Sequence, residues 1–208
     1  MVSKNTEASR HPLRFRILHM VIMISIVLLI LTGFYIHRPF VGGSGFFMSM
    51  DRGVHFFAAG VLIIATVARI LSMFIGRKKD WRSFIPTASD WALLPKTINY
   101  YAYIGKEPEI KKKYNPLQMI TYSFVFVLIV FQIISGFALQ YPEGWLSWFN
   151  YHLFYNEIQV RIAHYIVNWL FVMFLIIHIY LGLRETFPEM KEMHLLSGDE
   201  ENVSAAKE

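Results

Sequence analysis

Four apolar runs, each about as long as a helix that crosses a bilayer, leave this chain few folds to choose from. They are Ile17–Ile36, Val54–Ile75, Leu117–Leu139 and Ile162–Leu183. About 20 residues rising about 1.5 Å each span about 30 Å of hydrocarbon. Inside that layer every backbone polar group must be satisfied within the protein, so only helices or closed barrels cross it. These runs lack the alternation of a barrel strand. The 208 residues are 55% hydrophobic and 16% aromatic, well above the usual share for a soluble domain. The expected fold is an all-α membrane protein, a four-transmembrane-helix bundle over residues 17–186, with a polar segment 1–16 before it and a tail 187–208 after it. The first run is too long for the apolar core of a signal peptide, and no small-residue cleavage site follows it.

Charge orients the bundle. Residues 1–16 hold four Lys/Arg, the loop from Arg77 to Pro116 holds nine and the tail after Leu183 holds three. The opposite loops hold Arg38, Arg52 and Arg161 alone. By the positive-inside bias, both termini and the long middle loop are expected in the cytoplasm. The runs Arg77-Lys78-Lys79 and Lys111-Lys112-Lys113 flank membrane spans. They therefore read as topology signals and contacts to membrane lipid, and no nucleic-acid partner is expected. The chain has no cysteine, so it supplies no disulfide, no thiolate for an iron–sulfur cluster and no covalent haem attachment.

The connections carry their own signals. His37-Arg38-Pro39 and Val41-Gly-Gly-Ser-Gly read as a turn, with the second helix starting around Asp51. In the middle loop, Ser89-Asp90-Trp91 suggests a short helix on the membrane surface, and Trp81, Trp91, Tyr100, Tyr101 and Tyr103 suit the interface. Asn115-Pro116 opens the third span, proline being favourable in a first helical turn. The loop Gln140–Val160 is dense in aromatics, which fits an interfacial belt or a docking surface. The tail carries seven acids against three Lys/Arg and reads as a solvated or partner-bound extension. No internal repeat is evident.

Ionisable side chains deep in a membrane are costly and usually functional. His164 and His178 lie fourteen residues apart on the fourth run. That is close to four helical turns, so both leave one face, about 21 Å apart along the axis. His19 sits near the inner end of the first run, and His55 near the outer end of the second. Depth pairs His19 with His178 inside and His55 with His164 outside. Two imidazoles clamp the flat macrocycle of a haem and saturate its iron, which suits electron transfer. The expected cofactors are two stacked b haems. His11, His37, His152 and His194 fall in loops or tails and are set aside.

A macrocycle needs room, and its propionates favour cations. Gly33, Gly60, Gly136 and Gly182 lie within or at the ends of the runs, where they allow close approach of a haem or of a neighbouring helix. Arg52 and Arg161 each stand three residues before an outer histidine, on its own helix face. Both suit outer propionates, while Arg14, Arg16, Arg69 and Arg184 suit inner ones. Snorkelling to the interface accounts for any of these arginines equally well.

These residues resemble a known family, the four-helix di-haem cytochrome b subunits of membrane-bound nickel–iron hydrogenases, and more distantly those of respiratory formate dehydrogenases. The resemblance covers about residues 12–186. It rests on Arg16-Ile-Leu-His19 with Leu31-Thr-Gly-Phe-Tyr-Ile, and on Val54-His55-Phe-x-Ala-Gly60 with Ala68-Arg69-Ile. It continues through Asn115-Pro116 to Ser135-Gly-Phe-Ala-Leu139, then Arg161-x-x-His164 and His178-Ile-Tyr-x-x-Leu-Arg-Glu185.

The resemblance implies the same ligand pairs. It also implies partners on the outer side, a hydrogenase large subunit and an iron–sulfur small subunit that delivers electrons. The acceptor would be a quinone, menaquinone or ubiquinone, near the inner face. By carry-over from the formate dehydrogenase relatives, Asn115 and His178 would border it, although Asn115 serves equally as a helix cap. The setting implied is the inner membrane of a bacterial or archaeal cell. The chain would be the quinone-reducing electron-transfer subunit of an oxidoreductase and would not cleave hydrogen itself, having no thiolates to hold nickel. The alternatives are a cytochrome b subunit of a formate dehydrogenase or thiosulfate reductase, a stand-alone di-haem cytochrome b561-like oxidoreductase, and a divalent-metal transporter. The last predicts acidic residues beside the histidines, and the interiors of the first, third and fourth runs contain none.

Overall fold

The computed structural model describes residues 13–39, 45–75, 87–106 and 115–185. In chain order come α1 (Leu13–His37), α2 (Gly45–Ile75), α3 (Ala88–Tyr101), α4 (Pro116–Gln140), a π-helical turn (Phe149–Leu153) and α5 (Glu157–Glu185). There is no strand among the described residues. Four of these helices are long and apolar enough to cross a membrane: Leu13–His37, Gly45–Ser72, Pro116–Gln140 and Glu157–Arg184. The four expected spans are therefore present, and each helix starts before its apolar run.

Two ends differ from the sequence expectation. Helix α2 starts at Gly45 rather than around Asp51, because Phe46, Phe47 and Met48 continue the apolar pattern that the preceding glycines obscure. His37, expected in a turn, is the last residue of α1. The segments 1–12 and 186–208, the Val41–Ser44 part of the turn, Gly76, Arg77-Lys78-Lys79, Trp81, Lys111-Lys112-Lys113 and Tyr114 lie outside the described residues.

The chain divides into two compact units, Met1–Arg69 with Tyr165–Glu208, and Ile70–His164. In the first, α1 meets α5 through aromatic edges. Phe34 packs against Trp169 at 4.9 Å and Tyr165 at 6.1 Å, centroid to centroid. His37 stacks on Tyr165 at 3.7 Å with planes 13° apart. At the other end of α1, the Arg14 and Arg69 guanidinium groups lie over the Phe15 ring at 4.8 and 4.7 Å.

In the second unit, α3 packs on α4. The surface helix expected from Ser89-Asp90-Trp91 runs from Ala88 to Tyr101. It opens on a capping box in which the Asp90 carboxylate accepts from the Thr87 backbone N–H (2.7 Å) and hydroxyl (2.6 Å). The α4–α5 connection is folded rather than loose. Ala138, Leu146, Phe149 and Val160 form a buried cluster, with Phe131 and Phe154 packed on it. Asn150 is fully buried, and its amide donates to the carbonyls of Ala138 (2.8 Å) and Pro142 (3.4 Å).

Candidate haem site

Each helix brings one part of the site. Helix α1 carries His19 and Gly33, and α2 carries His55 and Gly60. Helix α4 carries Gly136, and α5 carries both His164 and His178 on one uninterrupted helix. An apolar helix can hold an imidazole at membrane depth because its own backbone is internally satisfied and a single polar ring can then be met by a partner side chain.

Within the first unit the structure brings His19 and His178 together. Their ring centroids are 6.2 Å apart and their planes 47° from parallel. Two imidazoles bound to opposite sides of one metal ion, with metal–nitrogen bonds of about 2 Å, place their centroids roughly 6 Å apart. The spacing fits an iron clamped between them. Phe174, one turn before His178, stacks on it at 5.3 Å with planes 23° apart, which fixes the ring from the side.

His55 and His164 are each held by a hydroxyl. In the first unit, the Thr32 hydroxyl lies 2.7 Å from His55 Nδ1. In the second, the Ser135 hydroxyl lies 2.7 Å from His164 Nδ1. The neighbouring glycines face the same rings. A Cβ on Gly33 would come 3.8 Å from His55 Cε1, and one on Gly136 would come 3.6 Å from His164 Cε1. At Gly60 a Cβ would meet nothing within 4 Å. Gly33 and Gly136 thus bring the backbone close to the two imidazoles, with room for no more than a methyl group at ordinary contact distance.

Asn168 was not anticipated. It is 7% exposed, and its amide nitrogen is buried without a hydrogen-bond partner among the described residues. Its Oδ1 lies 3.6 Å from the point where a Gly33 Cβ would stand. A buried orphan donor is costly, and a bound polar group is one way to satisfy it. The signal was present in the sequence: Asn168 follows His164 by four residues within an apolar run, on the same helix face.

The arginines divide. Arg16 is buried at 3% exposure, Arg69 and Arg184 are half-buried, and Arg14, Arg52 and Arg161 are exposed. Asn115 caps α4. Its side-chain carbonyl accepts from the Gln118 N–H (2.7 Å), while Gln118 reciprocates to the Asn115 N–H (3.1 Å). The Asn115 amide also donates to the Tyr101 hydroxyl at 3.0 Å. No group of three or more His, Cys, Asp or Glu that could hold a metal ion occurs among the described residues.

Comparison with known proteins bears on the family. The profile of the family described as prokaryotic cytochrome b561 matches residues 10–194. A probable Ni/Fe-hydrogenase B-type cytochrome subunit of Bradyrhizobium diazoefficiens is 33% identical over 187 residues, covering 82% of this chain and 75% of the relative. A probable Ni/Fe-hydrogenase 1 B-type cytochrome subunit of Escherichia coli K12 is 30% identical, covering 82% and 80%. Another probable Ni/Fe-hydrogenase B-type cytochrome subunit, from Azotobacter vinelandii, is 30% identical, covering 88% and 83%. With the spans, the paired imidazoles and these matches in place, the chain belongs to the prokaryotic cytochrome b561 family, as a membrane b-type cytochrome resembling the hydrogenase subunits.

Proposed function

We propose that this chain is the membrane subunit that accepts electrons from a nickel–iron hydrogenase on the outer side and delivers them to a quinone near the cytoplasmic face, with two b haems as its cofactors. The names of the relatives favour a hydrogenase partner over a formate dehydrogenase or thiosulfate reductase. The observation that carries the reading is the facing pair His19–His178, whose rings lie 6.2 Å apart centroid to centroid and would together hold one haem.

When bound, a b haem supplies a one-electron couple buried in an apolar setting. The protein's own residues do the rest. His19 and His178 hold one haem, and His55 and His164 the other, by the depths at which the four residues enter the spans. Two imidazoles from the chain would hold each haem, and a haem held in that way would supply electron transfer rather than small-molecule activation. Gly33, Gly60 and Gly136 keep space for the macrocycles, while Arg16 and the Arg14–Arg69 pair offer charge to inner propionates and Arg52 and Arg161 to outer ones. Asn115 and His178 border the quinone; the Asn115 amide keeps one N–H beyond the one given to Tyr101. The iron–sulfur subunit docks on the outer face of the cell membrane, and both termini lie in the cytoplasm.

The test is a reduced-minus-oxidised spectrum of the purified protein with haem counted per chain. Two low-spin b haems per chain are expected. A folded protein without haem overturns the reading.

A further inference from the structure

The two outer histidines are held by the same device, built twice from unrelated stretches of chain. On α1 the sequence is Thr32-Gly33-Phe34, and on α4 it is Ser135-Gly136-Phe137. Each hydroxyl is buried, Thr32 at 7% and Ser135 at 0% exposure. Each lies 2.7 Å from the carbonyl four residues back, Leu28 for Thr32 and Phe131 for Ser135. Each lies 2.7 Å from the Nδ1 of one histidine. Each is followed by a glycine that faces the Cε1 of that same ring.

The proton inventory then decides the tautomer. A hydroxyl has one hydrogen, and a carbonyl can only accept. The hydroxyl therefore donates to its own helix and accepts from the ring, so Nδ1 carries the imidazole hydrogen. Nε2 is then the unprotonated nitrogen, the one whose lone pair binds a metal. Such a bond orients the ring, makes the ligand more basic and favours the oxidised iron.

We infer that Thr32 and Ser135 are positioning residues that hold His55 and His164 as Nδ1–H tautomers with Nε2 presented to iron, and that together they lower the potential of a single haem. The inference rests on the reading of His55 and His164 as the two ligands of one haem.

The experiment is a potentiometric titration of the b haems in the membrane complex, with haem counted per chain, for Thr32→Val, Ser135→Ala, Thr32→Ser, His55→Ala and His164→Ala. In Thr32→Val and Ser135→Ala the haem content is expected to hold while one midpoint, the same one in both variants, rises. The expected shift is about tenfold in its reduction equilibrium, which is about 59 mV for a one-electron couple. Thr32→Ser is expected to keep the parent midpoint. Unmoved midpoints in both Thr32→Val and Ser135→Ala, with haem retained, overturn the inference. If Thr32→Val loses haem, Thr32→Ser decides: restored haem and midpoint support the role of the hydroxyl, and continued loss overturns it. Midpoints that move in different haems overturn the claim of a single haem. Retention of both haems in His55→Ala and His164→Ala removes the ligand reading itself, and the inference with it.

Discussion

The imidazoles of His19 and His178 face each other from α1 and α5 at 6.2 Å between ring centroids. Helix α1 ends at His37 and α5 at Glu185, so His19 stands near the start of one helix and His178 near the end of the other. Such a pair closes only when the two helices run in opposite directions, as a first and a fourth span do. Replacing either ring should empty one haem site and leave the other filled. His178→Ala is expected to give one haem per chain, measured by pyridine haemochrome, and to abolish electron delivery to quinone. Loss of both haems from a folded protein would contradict two independent sites.

Gly33 and Gly136 set a size limit beside the imidazoles of His55 and His164. A single methyl group would stand at ordinary contact distance, 3.8 and 3.6 Å from the rings. Alanine at either position should therefore retain haem. Leucine extends into the space beside the ring and should displace one haem per chain. Haem content measured against helical circular dichroism separates this exclusion from misfolding.

Asn115 has two roles that substitution can part. Asn115→Ala removes the cap of α4 and should cost about 1 kcal/mol, read as lower thermal stability. Asn115→Asp keeps an acceptor for the Gln118 N–H and should keep that stability. It loses the amide that reaches Tyr101, and with it any hydrogen bond given to a quinone. The expected outcome for Asn115→Asp is a raised KM for quinone at near-parent stability. An unchanged KM would confine the residue to capping.

Tyr151 reports on the α4–α5 connection. Its hydroxyl shares its one proton between the carboxylates of Glu157 (2.7 Å) and Glu143 (2.9 Å). These bonds, that to Glu157 foremost, and the two nearby negative charges hold the phenol well above its ordinary value. The sign follows: a raised pKa contributes stability below the unfolded value of about 10, and that contribution is lost as pH rises through the folded value. Ultraviolet titration should find this phenol still protonated at a pH at which a free tyrosine ionises. Glu157→Gln should lower its titration, and Glu143→Gln should do so less.

Much of the site was legible because polar residues stand out in apolar runs. His19, His55, His164 and His178 could be singled out, and two of them paired on one helix, from spacing alone. The hydroxyl partners could not. Thr32 and Ser135 each bond to their own helix four residues back, as such residues do in many apolar helices. Only the fold adds the imidazole. The repeated Thr/Ser-Gly-Phe is three residues long, too short to register as an internal repeat. Asn168 carried a visible signal, its spacing from His164, that was outweighed by the histidines. The start of α2 was misplaced because glycines before Gly45 resemble a turn that the following aromatics override. His37 was set aside as a turn residue, although its ring stacks on Tyr165 from the end of α1.

The buried Asn150 has a consequence for association. Its amide ties the π-helical turn to the last turn of α4, while Trp145, Trp148 and Tyr155 remain 76%, 53% and 82% exposed around it. Those rings are thus displayed on a scaffold already ordered before any encounter. A protein that meets them gives up little loop entropy on docking. Wide aromatic faces shown rigidly are the surfaces on which complexes become long-lived, since affinity is set chiefly by slow dissociation.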